Sequence, residues 1–280
     1  MLKQRVITAV VLLAVLLPAL FAASPWPFAL ITLLMLSAAG WEWARLNGVA
    51  GWPAWLLGAV VALGAAAMAG SGWVGAAPVW LWDGAILLWV LGGAYALRAG
   101  VSAWPGYSRT LRLVLGVLML WLAWLAIAVA RSHGVNLLLS IFCLVWVADI
   151  AAYFGGRTFG RRKLAPAISP GKSWEGVVSG MLGVLLLGGL WIWIDGHWVM
   201  DTPSLYSRLL AQHGLVGTVV ALVFLAAMSV VGDLFESLVK RSAGAKDSSR
   251  LLPGHGGVLD RIDALLPVCP LALALLGTTI

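Results

Sequence analysis

Residues 214–241 read GLVGTVVALVFLAAMSVVGDLFESLVKR. From Gly214 to Gly232 nothing is charged, and the run is close to the roughly 20 residues a helix needs to cross a bilayer. It then turns polar while still helical in pattern, with Asp233, Glu236, Lys240 and Arg241. Asp233, Glu236 and Lys240 fall on one helix face. A carboxylate inside a membrane helix is expensive unless it is paired, hydrated or metal-bound. An ion pair between Glu236 and Lys240, one turn apart, accounts for Glu236 but leaves Asp233 deeper and without a partner. The stretch therefore predicts a membrane span with chemistry at one of its ends.

The rest of the chain fits that solvent. Of 280 residues, 62% are hydrophobic and 10% charged, against about a quarter charged in soluble domains. Apolar runs mark about nine spans in an all-α polytopic fold: 6–23, 26–41, 54–70, 79–97, 111–130, 135–153, 175–194, 214–239 and 264–280. The first is long for a signal peptide and is followed by further spans, so it reads as a retained helix. Placing the N-terminus inside puts sixteen Lys and Arg residues in inner segments and leaves only Arg131 and Arg208 outside. That split predicts a cytoplasmic N-terminus and a periplasmic C-terminus in the cell inner membrane. The 17 tryptophans read mostly as interfacial anchors and lipid-facing filler. Cys143 and Cys269 lie in apolar runs and read as packing residues.

Charge divides the chain into an N-terminal scaffold, 1–134, and a catalytic region, 135–280, with motif loops at 154–174 and 240–263. Only Glu42 and Asp83 precede Asp149, whereas nine acids lie between Asp149 and Asp263. The net charge of +7 comes from basic residues scattered along loops, which suits anionic headgroups and nucleotide phosphates rather than nucleic acid.

The first motif region runs from Asp149 through Gly155-Gly156-Arg157 and Arg161-Arg162-Lys163 to Ser169-Pro-Gly-Lys-Ser-Trp-Glu175. Gly-rich backbone beside cations suits a phosphate. Gly171-Lys172-Ser173 is not a P-loop, because residue 166 is Pro where that motif has Gly and no strand is expected before it. Arg161, Arg162 and Lys163 read equally well as a surface anchor, while Lys172 and Glu175, at a helix start, favour function. The second region continues from Asp233 through Lys246-Asp247 to His255-Gly-Gly-Val-Leu-Asp260-Arg261-Ile-Asp263. Asp260 and Asp263 share a helix face. Acids, cations and a Gly-flanked His make a compact site for Mg²⁺ with polyphosphate.

The stretch Ser237-Leu-Val-Lys240-Arg241, then Lys246-Asp247, then His255 to Asp263, resembles the signature of the phosphatidate cytidylyltransferases, as do the two upstream blocks at 149–157 and 169–175. The resemblance covers about 145–265. It implies transfer of a cytidylyl group from CTP to phosphatidic acid, giving CDP-diacylglycerol and pyrophosphate in phospholipid biosynthesis. The lipid phosphate is already a nucleophile, so positioning and charge neutralisation should dominate. On this reading the catalytic residues are Asp233, Asp247, Asp260, Asp263 and His255. Asp233 and Asp260 are the expected Mg²⁺ ligands, Asp247 and Asp263 the reserves, with a second cation left open. Lys172, Lys240, Arg241, Lys246, Arg261, Ser169 and Ser173 are the expected phosphate contacts. The expected partners are CTP, phosphatidic acid and membrane lipid, with a second copy of the chain the one protein partner considered. Two rivals remain at this stage. A CTP-dependent polyprenol kinase needs a base for its alcohol acceptor, and an ion-coupled transporter tends to show paired broken helices and a midplane site.

Overall fold

A computed structural model describes residues 2–277. It is a helical bundle: α1 (Leu2–Leu20), α2 (Trp26–Leu46), α3 (Trp52–Gly70), α4 (Val79–Ile86) running through a π-turn (Leu87–Gly92) into α5 (Gly93–Ala99), α6 (Arg109–His133), α7 (Val135–Phe159), α8 (Trp174–His197), α9 (Leu205–Ser242), α10 (Leu259–Ile262) and α11 (Leu265–Leu276). Seven helical segments are long and apolar enough to cross a membrane. Their outward faces carry large apolar side chains, with Leu34 72%, Leu186 77% and Val216 78% exposed. The chain is a multi-pass membrane protein.

The expected first and last spans are shorter than the other seven. The apolar part of α1 is Val6–Leu20. α11 has 12 residues, and the last residues of the predicted span 264–280 lie outside the described ones. α11 is short because it starts inside the bundle. A Cβ on Gly232 would lie 2.4 Å from the Asp263 carbonyl oxygen, so the α10–α11 junction packs against α9 ten residues before its end. At 1.5 Å per residue that is about 15 Å below the helix end.

Other helices outrun their predicted ends. α2 continues to Leu46 rather than stopping at 41, which places Glu42 and Arg45 on a helix. α7 continues to Phe159, so the first motif region up to that residue is helical, not loop. The glycines there are tolerated because α7 and α8 pack backbone to backbone. A Cβ on Gly176 would meet the Ala152 carbonyl at 2.8 Å, and one on Gly180 the Ala148 carbonyl at 2.8 Å. Small residues bring membrane helices together in this way because lipid provides no hydrophobic drive. α9 includes a break at Gly214, whose φ of 63° is left-handed. Residues 205–213 thus form a separate leading turn at the opposite end from Ser242.

The all-α expectation needs one correction. β1 (Lys163–Ala165) and β2 (Ser169–Ser173) form an antiparallel hairpin pairing Lys163 with Ser173 and Ala165 with Ser169. Backbone donors between two helices need partners, and the hairpin provides them. Lys172 therefore sits on a strand that leads directly into α8.

α6 is the core, with Ala123–Arg131 buried throughout. The tryptophan reading holds for eight outward-facing rings, such as Trp52 and Trp80. Five others, Trp43, Trp82, Trp89, Trp104 and Trp124, are buried. Three of these find acceptors: Trp43 Nε1 donates to the Arg112 carbonyl (2.8 Å), Trp124 Nε1 to the Ala29 carbonyl (3.0 Å) and Trp104 Nε1 to Asn47 Oδ1 (3.0 Å). A buried indole N–H needs such a partner. Cys143 and Cys269 are free thiols, Cys269 buried among core side chains.

The described chain starts and finishes at opposite ends of the bundle. Thr8 Oγ1 donates to the Pro253 carbonyl (2.9 Å) at the end holding the signature segment. Gln212 Nε2 donates to the Leu276 carbonyl (3.2 Å) at the other. That second end also gathers Asp195 and Asp201 around the start of α7. Asp201 accepts from Val135 N and Asn136 N, and Asp195 accepts from Asn136 Nδ2, Ser204 N and Ser207 Oγ. Both acids serve to close helix ends there.

Candidate active site

Apart from Asp83, on α4 at the other end, the signature end holds the remaining acids, and lysines join the two motif regions. Lys172 Nζ lies 2.7 Å from Asp233 Oδ2. The partner that sequence left Asp233 without thus comes from the hairpin before α8. Lys240 Nζ contacts Glu236 and lies 2.6 Å from Asp260 Oδ1. Asp233, Glu236 and Lys240 share the α9 face that the helical spacing predicts, but they feed two adjoining ion pairs. Asp149, on α7, interacts electrostatically with both Lys172 and Asp233. Glu236 does so with Asp260 and Asp263, which places it between the two pairs.

Asp260 is the most completely bonded acid. Oδ2 accepts from Ser248 N (2.9 Å), Ser248 Oγ (2.9 Å) and Gly257 N (2.8 Å), and Oδ1 accepts from Lys240. Burial opposes its ionisation, but the Lys240 ammonium and these N–H groups outweigh that and hold it below the usual carboxylate range. Asp263 has less support, accepting from Ala264 N at 2.8 Å. Asp233 is its electrostatic neighbour.

Among the described residues no three His, Cys, Asp or Glu side chains are already gathered as a metal-ligand set. The chemistry of the donors nevertheless fits a hard divalent cation. Five carboxyls among the described residues, Asp149, Asp233, Glu236, Asp260 and Asp263, adjoin two ammoniums, Lys172 and Lys240, with the Arg157 guanidinium lining the same cavity as Asp149 and Asp233. The buried Glu236 oxygens receive no hydrogen bond among the described residues beyond the Lys240 ion pair. Oxygen-rich sites with excess negative charge suit Mg²⁺.

The other expected residues spread around this centre. Ser169, Lys172 and Ser173 line one cavity of about 480 Å³ together with Asp149, Arg157 and Asp233. The Ser173 hydroxyl also caps α8 by accepting from Gly176 N (3.2 Å). Glu175 is a brace for the hairpin, accepting from Arg161 N (3.1 Å) and Arg162 N (3.2 Å). Lys246 and Asp247 line a second cavity beyond the end of α9, and the neighbouring Ser248 joins this segment to Asp260. Arg241 donates to the Ala245 carbonyl (3.1 Å) and shapes the turn after α9. Arg261 is exposed. His255 lies in a turn closed by Leu252 N donating to the Gly256 carbonyl (2.8 Å), and its buried Nδ1 meets no partner among the described residues.

Glu42 is the residue the sequence did not disclose. It is fully buried, 0% exposed, and accepts from Ser248 Oγ (3.2 Å), Ser249 Oγ (2.6 Å), Val258 N (2.9 Å) and Leu259 N (2.8 Å). All four donors belong to the signature segment, more than 200 positions away. A Cβ on Gly257 would lie 2.4 Å from Glu42 Oε1, which is why that position is glycine. The N-terminal half therefore builds part of the site as well as supporting it.

A multi-pass helical protein with lysine–carboxylate pairs and cation-lined cavities at one end of the bundle defines a class, a membrane-embedded enzyme acting on phosphates. The chain belongs to the cytidylyltransferase family, which it matches over residues 3–279. It is 42% identical to the phosphatidate cytidylyltransferase of Pseudomonas aeruginosa over 99% of this chain and 97% of that one. It is 39% identical to that of Haemophilus influenzae over 96% of each. The Thermotoga maritima protein of the same name is 39% identical over 51% of this chain and 49% of its own.

Proposed function

We propose that this enzyme transfers the cytidylyl group of CTP to phosphatidic acid, giving CDP-diacylglycerol and pyrophosphate. The observation that carries the reading is the junction of the two motif regions at Lys172–Asp233 and Lys240–Asp260, in a chain similar over nearly its whole length to phosphatidate cytidylyltransferases. A lipid phosphate oxygen attacks the α-phosphorus of CTP, and the bond to the bridging oxygen breaks as pyrophosphate leaves. No proton has to be removed from the nucleophile. Lys172 and Lys240 orient phosphates and neutralise charge as it moves toward the leaving group. No Ser or Cys need be activated, unlike in a polyprenol kinase, whose alcohol acceptor requires a base. The transporter reading is weaker, because the acids crowd one end of the bundle rather than a midplane.

Mg²⁺ would be held by Asp233 with Asp263 beside it and Asp260 across Lys240, and it would offset repulsion between the two anionic substrates. The sixteen-to-two charge split supports nine crossings with the site facing the cytoplasm of the inner membrane. In a background lacking Cys143 and Cys269, a cysteine at Ser102 should label only after the inner face is opened, and one at Val199 in intact spheroplasts. The reverse pattern would invert the topology. For the reaction, pyrophosphate release by purified protein should require CTP, phosphatidic acid and Mg²⁺ together. Release without the lipid would point to simple CTP hydrolysis.

A further inference from the structure

A second cavity of about 620 Å³ lies where α2 ends and the loop after α9 turns. Its volume is in the range of roughly 300–1,000 Å³ usual for small-molecule sites. Three cations face it, Arg45 from α2 and Lys246 and Arg250 from the loop, against one acid, Asp247. The Arg45 guanidinium sits 4.7 Å above the Trp41 ring, and Trp41 in turn stacks on Trp55 at 4.9 Å. That stack holds the charge in place at little entropic cost. The opposite wall is fixed too, since Ser248 and Ser249 line the cavity while bonding Glu42, one turn before Arg45 on the same helix. Ser248 also bonds Asp260. The cavity wall and the Lys240–Asp260 pair are therefore mechanically one piece.

The two cavities differ in character. The one at Lys172 lies among spanning helices and includes Ala152, Val177 and Val230 in its wall, beside the outward-facing rings of Tyr153 and Trp174. That setting suits a phosphate that arrives attached to a lipid. The one at Arg45 is built from helix ends and loop, with Leu46, Ala243 and Ala245 as its only apolar lining. It suits a polyanion arriving from water, and arginine forks match phosphate oxygens two at a time.

We propose that the cavity walled by Arg45, Lys246 and Arg250 is the nucleotide compartment, that its three cations hold the β- and γ-phosphates, and that Glu42 is the positioning residue that fixes its wall. When the lipid oxygen bonds to the α-phosphorus, the electron pair of the broken α–β bridge stays on pyrophosphate, which leaves among these cations. The proposal rests on CTP being the nucleotide substrate, and it adds where CTP sits.

Arg45 is exposed, so its replacement should leave folding intact. Arg45→Ala should raise the KM for CTP about tenfold, the loss of one charge-assisted contact, with the KM for phosphatidic acid within twofold of wild type. Arg45→Lys should recover part of the loss, and Arg98→Ala, an exposed residue at the end of α5, should leave both constants unchanged. Glu42→Gln should lower kcat per folded enzyme, assayed well below its own thermal transition in detergent, with the KM for phosphatidic acid unchanged, whereas Glu42→Asp should keep part of the rate. An unchanged KM for CTP in Arg45→Ala, or equal rises for both substrates, would overturn the compartment assignment while wild-type turnover still upheld the reaction. A wild type that makes no CDP-lipid would instead defeat the underlying reading. A Glu42→Gln protein with full kcat would remove the positioning role.

Discussion

Asp233→Asn should abolish CDP-lipid synthesis, by at least about a thousandfold, and leave expression and membrane insertion unchanged. Asp233 already holds the Lys172 ammonium at 2.7 Å and lies next to Asp263 and Asp149. A neutral amide there takes away both the lysine's counter-charge and a hard anionic donor that Mg²⁺ needs. The loss should look like chelation of the metal. Asp260→Asn should do comparable damage by a different route, since Asp260 holds Lys240 and three donors of the signature segment. The double variant should lose little more than either single one, as expected for residues acting as a unit. Initial rates across a Mg²⁺ titration test this. Near-normal synthesis by Asp233→Asn at limiting Mg²⁺ would remove that residue from the metal's ligands.

The second large effect belongs to Lys240, and it should appear in stability as well as rate. Its ammonium is mostly buried and serves both Glu236 and Asp260. Lys240→Met keeps the length and apolar stem but strands two carboxylates in a poorly solvated place. Removing one partner of a buried pair costs about 3–5 kcal/mol. Part of that cost should be relieved by protonating the stranded acids, so Lys240→Met should unfold more easily at pH 8 than at pH 6. Lys240→Arg should keep most of the stability but not the rate, because a planar fork cannot reproduce the two contacts of a compact ammonium. Thermal unfolding in detergent at the two pH values, alongside turnover, separates these effects. Equal stability of Lys240→Met and wild type would mean that the Glu236–Lys240–Asp260 cluster is hydrated rather than buried.

These contacts also show what sequence could reveal. Apolar runs located the long helices because lipid demands continuous hydrophobicity, and the Asp233, Glu236, Lys240 spacing put all three on one face of α9. The signature segment declared its own chemistry by packing acids, cations and glycines into one stretch. Partnerships between distant segments were not visible. Asp233 looked unpaired because Lys172 lies 61 positions away on a strand that no local pattern announced. Glu42 looked like the polar end of a span because Trp41, Trp43 and Arg45 around it match an interfacial belt. Only the extension of α2 to Leu46 carries it into the bundle, where the N–H groups of Val258 and Leu259 need an acceptor. One signal was available: a lone acid among the first 82 residues of so apolar a chain is costly to keep. Asp247, which the signature offered as a reserve ligand, lines the cavity with Arg45, Lys246 and Arg250, a neighbourhood that its position in the sequence could not show.

The measurement that bears most directly on the account follows the fate of two labels in CTP. Purified protein in phosphatidic acid vesicles with Mg²⁺ would receive CTP carrying radiophosphorus at either the α or the γ position. Cytidylyl transfer predicts that the α label enters the chloroform-soluble lipid and the γ label leaves as pyrophosphate. Appearance of the γ label in lipid, with CDP released to water, would contradict it and make the enzyme a lipid kinase.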